Sequence, residues 1–308
     1  MTNYSFADCL NIAYRVNWRI EEVLGDRRFD PDRRWLPRAL SGAGAIACLD
    51  DDERRKLTHV EMAAYAHLFA YVEEFVAPKA SALARDHQLH DRVAFDALTN
   101  FAAEEVKHMN MFRRLRDRID GQMGFELARL GDETATAAHV LKQSTGAVLL
   151  LTACIEWFTQ KHYQECFQDD AGLDPFVKHV FRMHWVEECQ HAKMDHLETL
   201  RAFDAADAAE RDRAVDELIG LVAAVDGLLQ RQTGHDVDNL SRYLGRAFTA
   251  AEREQITAGV LRAKRYTFLE TGVTHPRFQE LFVAVTDEAQ QQRVGEALAG
   301  LLGAPAGA

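Results

Sequence analysis

Two short stretches put ionisable side chains where a helix ordinarily keeps apolar ones. The first, HWVEECQHAKMD (184–195), holds two histidines and two adjacent glutamates within eight residues. Successive helical residues turn by about 100°, so His184, Glu188 and His191 share an arc of roughly 60°. The second, FAAEEVKHMNMF (101–112), repeats the Glu-x-x-His spacing in Glu105 and His108, with Leu98 and Phe101 before it and Met109 and Phe112 after it. A lone spacing of this kind usually means a surface salt bridge. Two of them among apolar neighbours can converge on metal.

A dinuclear carboxylate site adds one inward glutamate from each of two further helices. Glu156, in VLLLTACIEWFTQKHYQ, is the first acid after a long apolar stretch and has Leu149, Thr152 and Ala153 on its own face. Its competitor, Glu165, sits nearer the exposed end. The doublet Glu73-Glu74 supplies the other. Glu73 is preferred because Phe69 and Val76 flank it, whereas Glu74 faces Ala70, Tyr71 and Ala77. Glu73 to Glu105 and Glu156 to Glu188 are both intervals of 32 residues, as groups at similar depth in a bundle require. The parallel spacing to His108 and His191 favours Glu105 and Glu188 within their doublets. Glu104 and Glu187 are expected to face solvent or to sit just behind the ligands, and Asp195 to orient an imidazole through its free ring nitrogen. Four buried carboxylates without cations would cost several kcal/mol each, and two divalent ions remove that penalty. Such a donor set suits iron or manganese, and carboxylate-bridged iron pairs typically reduce O2. Phe69, Phe101, Phe112 and Leu149 would keep water away.

Helices must position these groups. Apolar periodicity predicts an amphipathic helix over 5–24, then four long helices over about 52–85, 91–119, 135–168 and 175–203. Asp50 to Asp52 form an acidic lead-in to the first long helix, and Pro78 is expected to kink it or end its regular part. Long helices joined by short loops read as an antiparallel bundle. Residues 205–302 are helical but more broken, with GHDVDN (234–239) and THPRF (274–278) as interruptions. The expected fold is all-α, a ferritin-like four-helix bundle over about 52–203 with additional N- and C-terminal helices, forming one domain over 1–308.

The formal net charge is -12, which disfavours nucleic acid as a partner. The arginine-rich stretch GDRRFDPDRRWLPR (25–38) reads as a solvated loop. SGAGA (41–45) has neither a preceding strand nor a following Lys-Ser/Thr, so it is not a phosphate loop. The five cysteines show no CxxC pair, and Cys154 and Cys189 read as small core residues. The longest apolar run, GAVLLLTACI, is too short for a bilayer span, and the amphipathic N-terminus does not resemble a signal peptide. A reduced, cytoplasmic chain is expected, with a short low-complexity tail, GAPAGA.

The ligand pattern resembles ferritin-like di-iron oxygenases in general. More narrowly, it looks like the p-aminobenzoate N-oxygenase (arylamine oxygenase) family. That family carries a seventh protein ligand, a histidine four residues before the last Glu-x-x-His, and HWVEECQH has that form. VEEFVAPKA and LDDDERRKL are also similar. The resemblance covers roughly 50–200. It implies metal ligands at Glu73, Glu105, His108, Glu156, His184, Glu188 and His191, two iron ions, O2 as co-substrate and an external electron donor. It implies N-oxygenation of a small amine, through a hydroxylamine toward a nitroso or nitro product, and a homodimer. A carboxylate-bearing substrate would need a cation in the pocket.

Three other functions use similar sites. An iron store or ferroxidase has no evident use for the helices beyond 205. A radical-generating subunit like that of ribonucleotide reductase would place a tyrosine beside the metals, and neither Tyr71 nor Tyr163 fits. Hydroxylation or desaturation at carbon differs from the amine reading only through His184.

Overall fold

The computed structural model describes residues 4–302, so the GAPAGA tail lies outside the described residues. No β-sheet occurs among them; one isolated bridge joins Arg34 to Leu173. The helices are α1 (Phe6–Val16), α2 (Ile20–Leu24), α3 (Asp51–His87), α4 (Arg92–Met123), α5 (Glu133–Leu141), α6 (Thr145–Lys161), α7 (Pro175–Ala205), α8 (Ala208–Leu244), α9 (Ala250–Arg265), α10 (Thr271–Val273), α11 (Pro276–Val285) and α12 (Glu288–Leu302). Two π-helical turns, His162–Phe167 and Tyr266–Glu270, extend α6 and α9.

Helices α3, α4, α6 and α7 form the bundle, and their starts are written in side chains. Asp50 accepts from the Glu53 amide while Glu53 accepts from the Asp50 amide, closing a capping box. Asp91 caps α4 through the amides of Val93 and Ala94. Asp174 caps α7 in the same way, with Pro175 at its first position. Helix α4 ends at Gly124, whose φ of 79° is the left-handed conformation that glycine adopts without strain. No helix among the described residues is long and apolar enough to cross a membrane.

Three expectations need correction. The stretch 5–24 is two helices, because the chain is extended around Trp18. That indole turns inward, and its Nε1 donates to the Met183 carbonyl at 2.8 Å. The stretch 135–168 is likewise interrupted. Ser144 leaves the helix to cap α6, and its own amide donates to Glu217 on α8 at 2.7 Å. Pro78 lies inside α3, which runs on to His87. GHDVDN does not interrupt α8, because its polar residues are tethers. Asn239 accepts from the Ala128 amide at 2.8 Å and donates to the Ala128 carbonyl, and Asp236 holds Lys264 at 2.6 Å. The THPRF break is real: His275 caps α11, with Pro276 at its first position.

The SGAGA segment also has a structural use. It forms a 3-10 turn (Gly42–Ala45) beneath α9, where a Cβ on Gly42 would lie 2.7 Å from the Gly259 carbonyl oxygen.

Candidate metal centre

The four bundle helices bring Glu73, Glu105, His108, Glu156, His184, Glu188 and His191 into the core, each at most 4% exposed. Glu188 is the hub. Its Oε1 lies 2.5 Å from His184 Nε2 and 3.0 Å from His108 Nδ1, and its Oε2 lies 2.8 Å from His191 Nδ1. Glu105 Oε1 approaches His191 Nδ1 at 2.6 Å, and Glu73 Oε1 lies 3.7 Å from His184 Nε2. Two overlapping sets offer ligand atoms within 4.8 Å of one another: Glu73, His108, His184 and Glu188, and Glu105, His108, Glu188 and His191. Glu156 belongs to neither set, although its carboxyl lies close enough to Glu188 to interact with it.

The doublets divide their labour across the α4–α7 seam. His108 Nε2 donates to Glu187 at 2.7 Å, and His191 Nε2 donates to Glu104 at 2.9 Å. Each histidine is thus held from behind by the first glutamate of the opposite doublet and presents Nδ1 to the centre. A backing carboxylate fixes the tautomer and the ring plane. Lys107 Nζ completes the Glu187 side at 2.5 Å. Asp195 does not orient an imidazole, because Glu104 already occupies the only outward nitrogen of His191. Burial pushes the Asp195 carboxyl up to about 7, and its Oδ2 has no hydrogen-bond partner. Glu74 faces outward and pairs with Arg113.

Charge is badly balanced without cations. Burial, then the neighbouring carboxylates, raise Glu73, Glu105 and Glu156 above the ordinary carboxylate range. Burial would raise Glu188 too, but His184, His191 and His108 outweigh it and hold that carboxyl well below its usual value. Burial opposes charge on His108, yet Glu188 and Glu187 overcome it and lift the imidazolium to about 9. Among the described residues, Glu73 Oε2, Glu156 Oε2 and His184 Nδ1 are buried without a hydrogen-bond partner, and Glu105 Oε1, His108 Nδ1 and His184 Nε2 meet only other members of the cluster, without hydrogen-bond geometry. Orphaned buried polar atoms are rare in proteins. Six such atoms on the members of one cluster fit divalent metal, which would use these lone pairs and neutralise the acids.

Aromatic rings wall the cluster. Phe101 stacks on His191 at 4.1 Å between centroids, while Phe69 and Phe112 meet His184 edge-on at 5.2 and 4.9 Å. Trp18 stacks over His108 at 5.6 Å, with Lys107 Nζ 4.3 Å from the indole centroid. Sequence reading missed Trp18, since nothing in its spacing ties an N-terminal indole to a helix 90 residues away.

An all-α bundle that gathers four carboxylates and three imidazoles at its centre defines the ferritin-like di-iron class of fold. The family model described as P-aminobenzoate N-oxygenase AurF matches residues 13–229, and the chain belongs to that family. The match extends beyond 50–200 to take in the last turn of α1, α2 and much of α8, including the Trp18 turn. No curated protein matches the chain.

Proposed function

We propose that this protein is a di-iron oxygenase that uses O2 and an external electron donor to oxygenate the nitrogen of a small amine. Glu73, Glu105, His108, Glu156, His184, Glu188 and His191 are the proposed ligands of two iron ions. The observation that carries the reading is the set of orphaned, inward-facing oxygen and nitrogen atoms on these buried side chains. Family membership supports the oxygenase class, and His184, placed against Glu188 and Glu73, supports the amine branch of it. Bound iron would supply the two-electron reduction of O2.

The chain's own residues hold and shield the site. Glu104 and Glu187 fix His191 and His108 so that Nδ1 faces the centre. Phe69, Phe101 and Phe112 exclude water from it.

Elemental analysis of protein produced with iron and manganese supplied tests the reading. The expected result is about two ions per chain, lost in Glu105→Ala and Glu188→Ala, with arylamine and O2 then giving N-oxygenated product. Many ions per chain would indicate storage instead. No bound metal after reconstitution would overturn the proposal.

A further inference from the structure

Behind the bundle lies an apolar cavity of about 490 Å³. That is within the roughly 300–1,000 Å³ typical of small-molecule sites. Its inner wall is built from the helical turns that carry Glu73 and Glu156. Tyr71, Val72 and Phe75 bracket Glu73, and Cys154, Ile155 and Phe158 bracket Glu156. Helices α8, α11 and α12 close the outer side. Phe158 meets Phe69 edge-on at 6.1 Å and Phe69 meets His184 at 5.2 Å, so these two rings connect the cavity wall to the proposed metal site.

This wall is mostly apolar, with Thr136, Thr274, Gln279 and Gln291 as its uncharged polar members. Among the described residues, no lysine, arginine, aspartate or glutamate lines it. Its one imidazole, His139, is exposed. The Tyr71 hydroxyl is already engaged with Thr136 and the Gly131 carbonyl. Arg113 is paired with Glu74 and Glu133, Arg265 with Asp226, and Lys264 with Asp236.

We infer that this cavity is the substrate chamber and that it takes an uncharged amine with an apolar body, not a carboxylate-bearing arylamine. The reaction part rests on the function proposed above; the charge preference rests on the wall alone. A carboxylate entering here would lose its hydration with no lysine or arginine to replace it, which costs several kcal/mol. An apolar tail would gain by leaving water.

The test uses the full chain loaded with iron. Binding of 4-butylaniline and of p-aminobenzoate is measured by calorimetry, and products formed with reductant and O2 are followed by mass spectrometry. 4-Butylaniline is expected to bind at least ~10-fold more tightly than p-aminobenzoate. Val222→Trp, which fills the chamber from α8, should weaken 4-butylaniline at least ~10-fold while metal content stays unchanged. Leu298→Trp, from α12, is the second variant, and the melting temperature of each checks the fold. Equal or tighter binding of p-aminobenzoate overturns the inference. So does 4-butylaniline binding that both folded variants leave intact. If 4-butylaniline binds in the chamber but no N-oxygenated product forms from either amine, the chamber stands and the oxygenase reading falls. If p-aminobenzoate is oxygenated and the variants change nothing, the reaction stands and the chamber falls.

Discussion

At the residue scale, the adjacent glutamates act in opposite directions. Glu105 and Glu188 face the centre, while Glu104 and Glu187 hold the far nitrogen of the histidine on the other helix. Replacing Glu104 or Glu187 with Ala should leave the seven proposed ligands in place but free a ring from its tautomer and plane. Such backing partners typically change metal affinity by about 10- to 100-fold. An iron titration of each variant against the parent should therefore show weaker binding, with Glu74→Ala unchanged. Affinity unaltered in both variants would reduce the crossed pairs to bystanders. Helical spacing made the inward burial of these seven side chains legible, including Glu73 over Glu74. It could not show the crossing, because which histidine a glutamate backs depends on how α4 and α7 sit side by side. The guess that Asp195 orients an imidazole failed for the same reason.

A second residue, away from the centre, sets a pH dependence. Glu61 on α3 is fully buried and accepts from the Ser41 hydroxyl and the Gly42 amide. Burial outweighs those bonds and pushes its carboxyl from 4.5 up to about 7. The fold thus keeps a proton that the unfolded chain releases. Glu61's contribution is complete below about 4.5 and is lost as pH rises toward about 7, a difference of about 3 kcal/mol. Urea denaturation at pH 5 and pH 8 should show a smaller loss of stability in Glu61→Gln than in the parent. Identical pH slopes would mean that Glu61 is ionised in the fold.

At the element scale, the long helices were legible because caps and periodicity agree. Asp50, Asp91 and Asp174 each begin a helix where the apolar pattern begins. The breaks were less legible. Ser144 looks like any small polar residue until α8 supplies Glu217 to receive its amide. The polar run in α8 reads as a turn until Asn239 is seen to accept from the Ala128 amide and donate to the Ala128 carbonyl. Close approach of elements is equally invisible in one sequence. Gly272 on α10 abuts α6, where an added Cβ would lie 2.5 Å from Cys154 Sγ and 2.8 Å from the Cys154 carbonyl oxygen. Gly272→Ala must push α10 away from backbone as well as side chain. A loss of about 1–3 kcal/mol is expected in denaturant titration. A neutral result would show that this seam is loose.

At the scale of the whole molecule, the bundle concentrates four acids and three imidazoles in a core otherwise built of hydrocarbon. The metal-free chain must therefore fold with Glu73, Glu105 and Glu156 driven toward protonation and His108 and His191 toward charge, each against its preference in water. A divalent ion that binds only the folded state removes that conflict and adds its own binding energy to stability. At free iron about 100-fold above Kd the gain is about 2.7 kcal/mol, on the order of 5 °C for a chain of this size. Thermal melts should accordingly shift upward with iron under anaerobic conditions and return when a chelator is added. Glu188→Ala removes the hub that three imidazoles share. Its melt should be insensitive to iron and chelator alike, while Val222→Trp, altered only at the outer wall of the chamber, should keep the full shift. A parent melt that ignores iron would mean that the buried acids are balanced by their own protons and the imidazolium charges, leaving no role for metal in the fold.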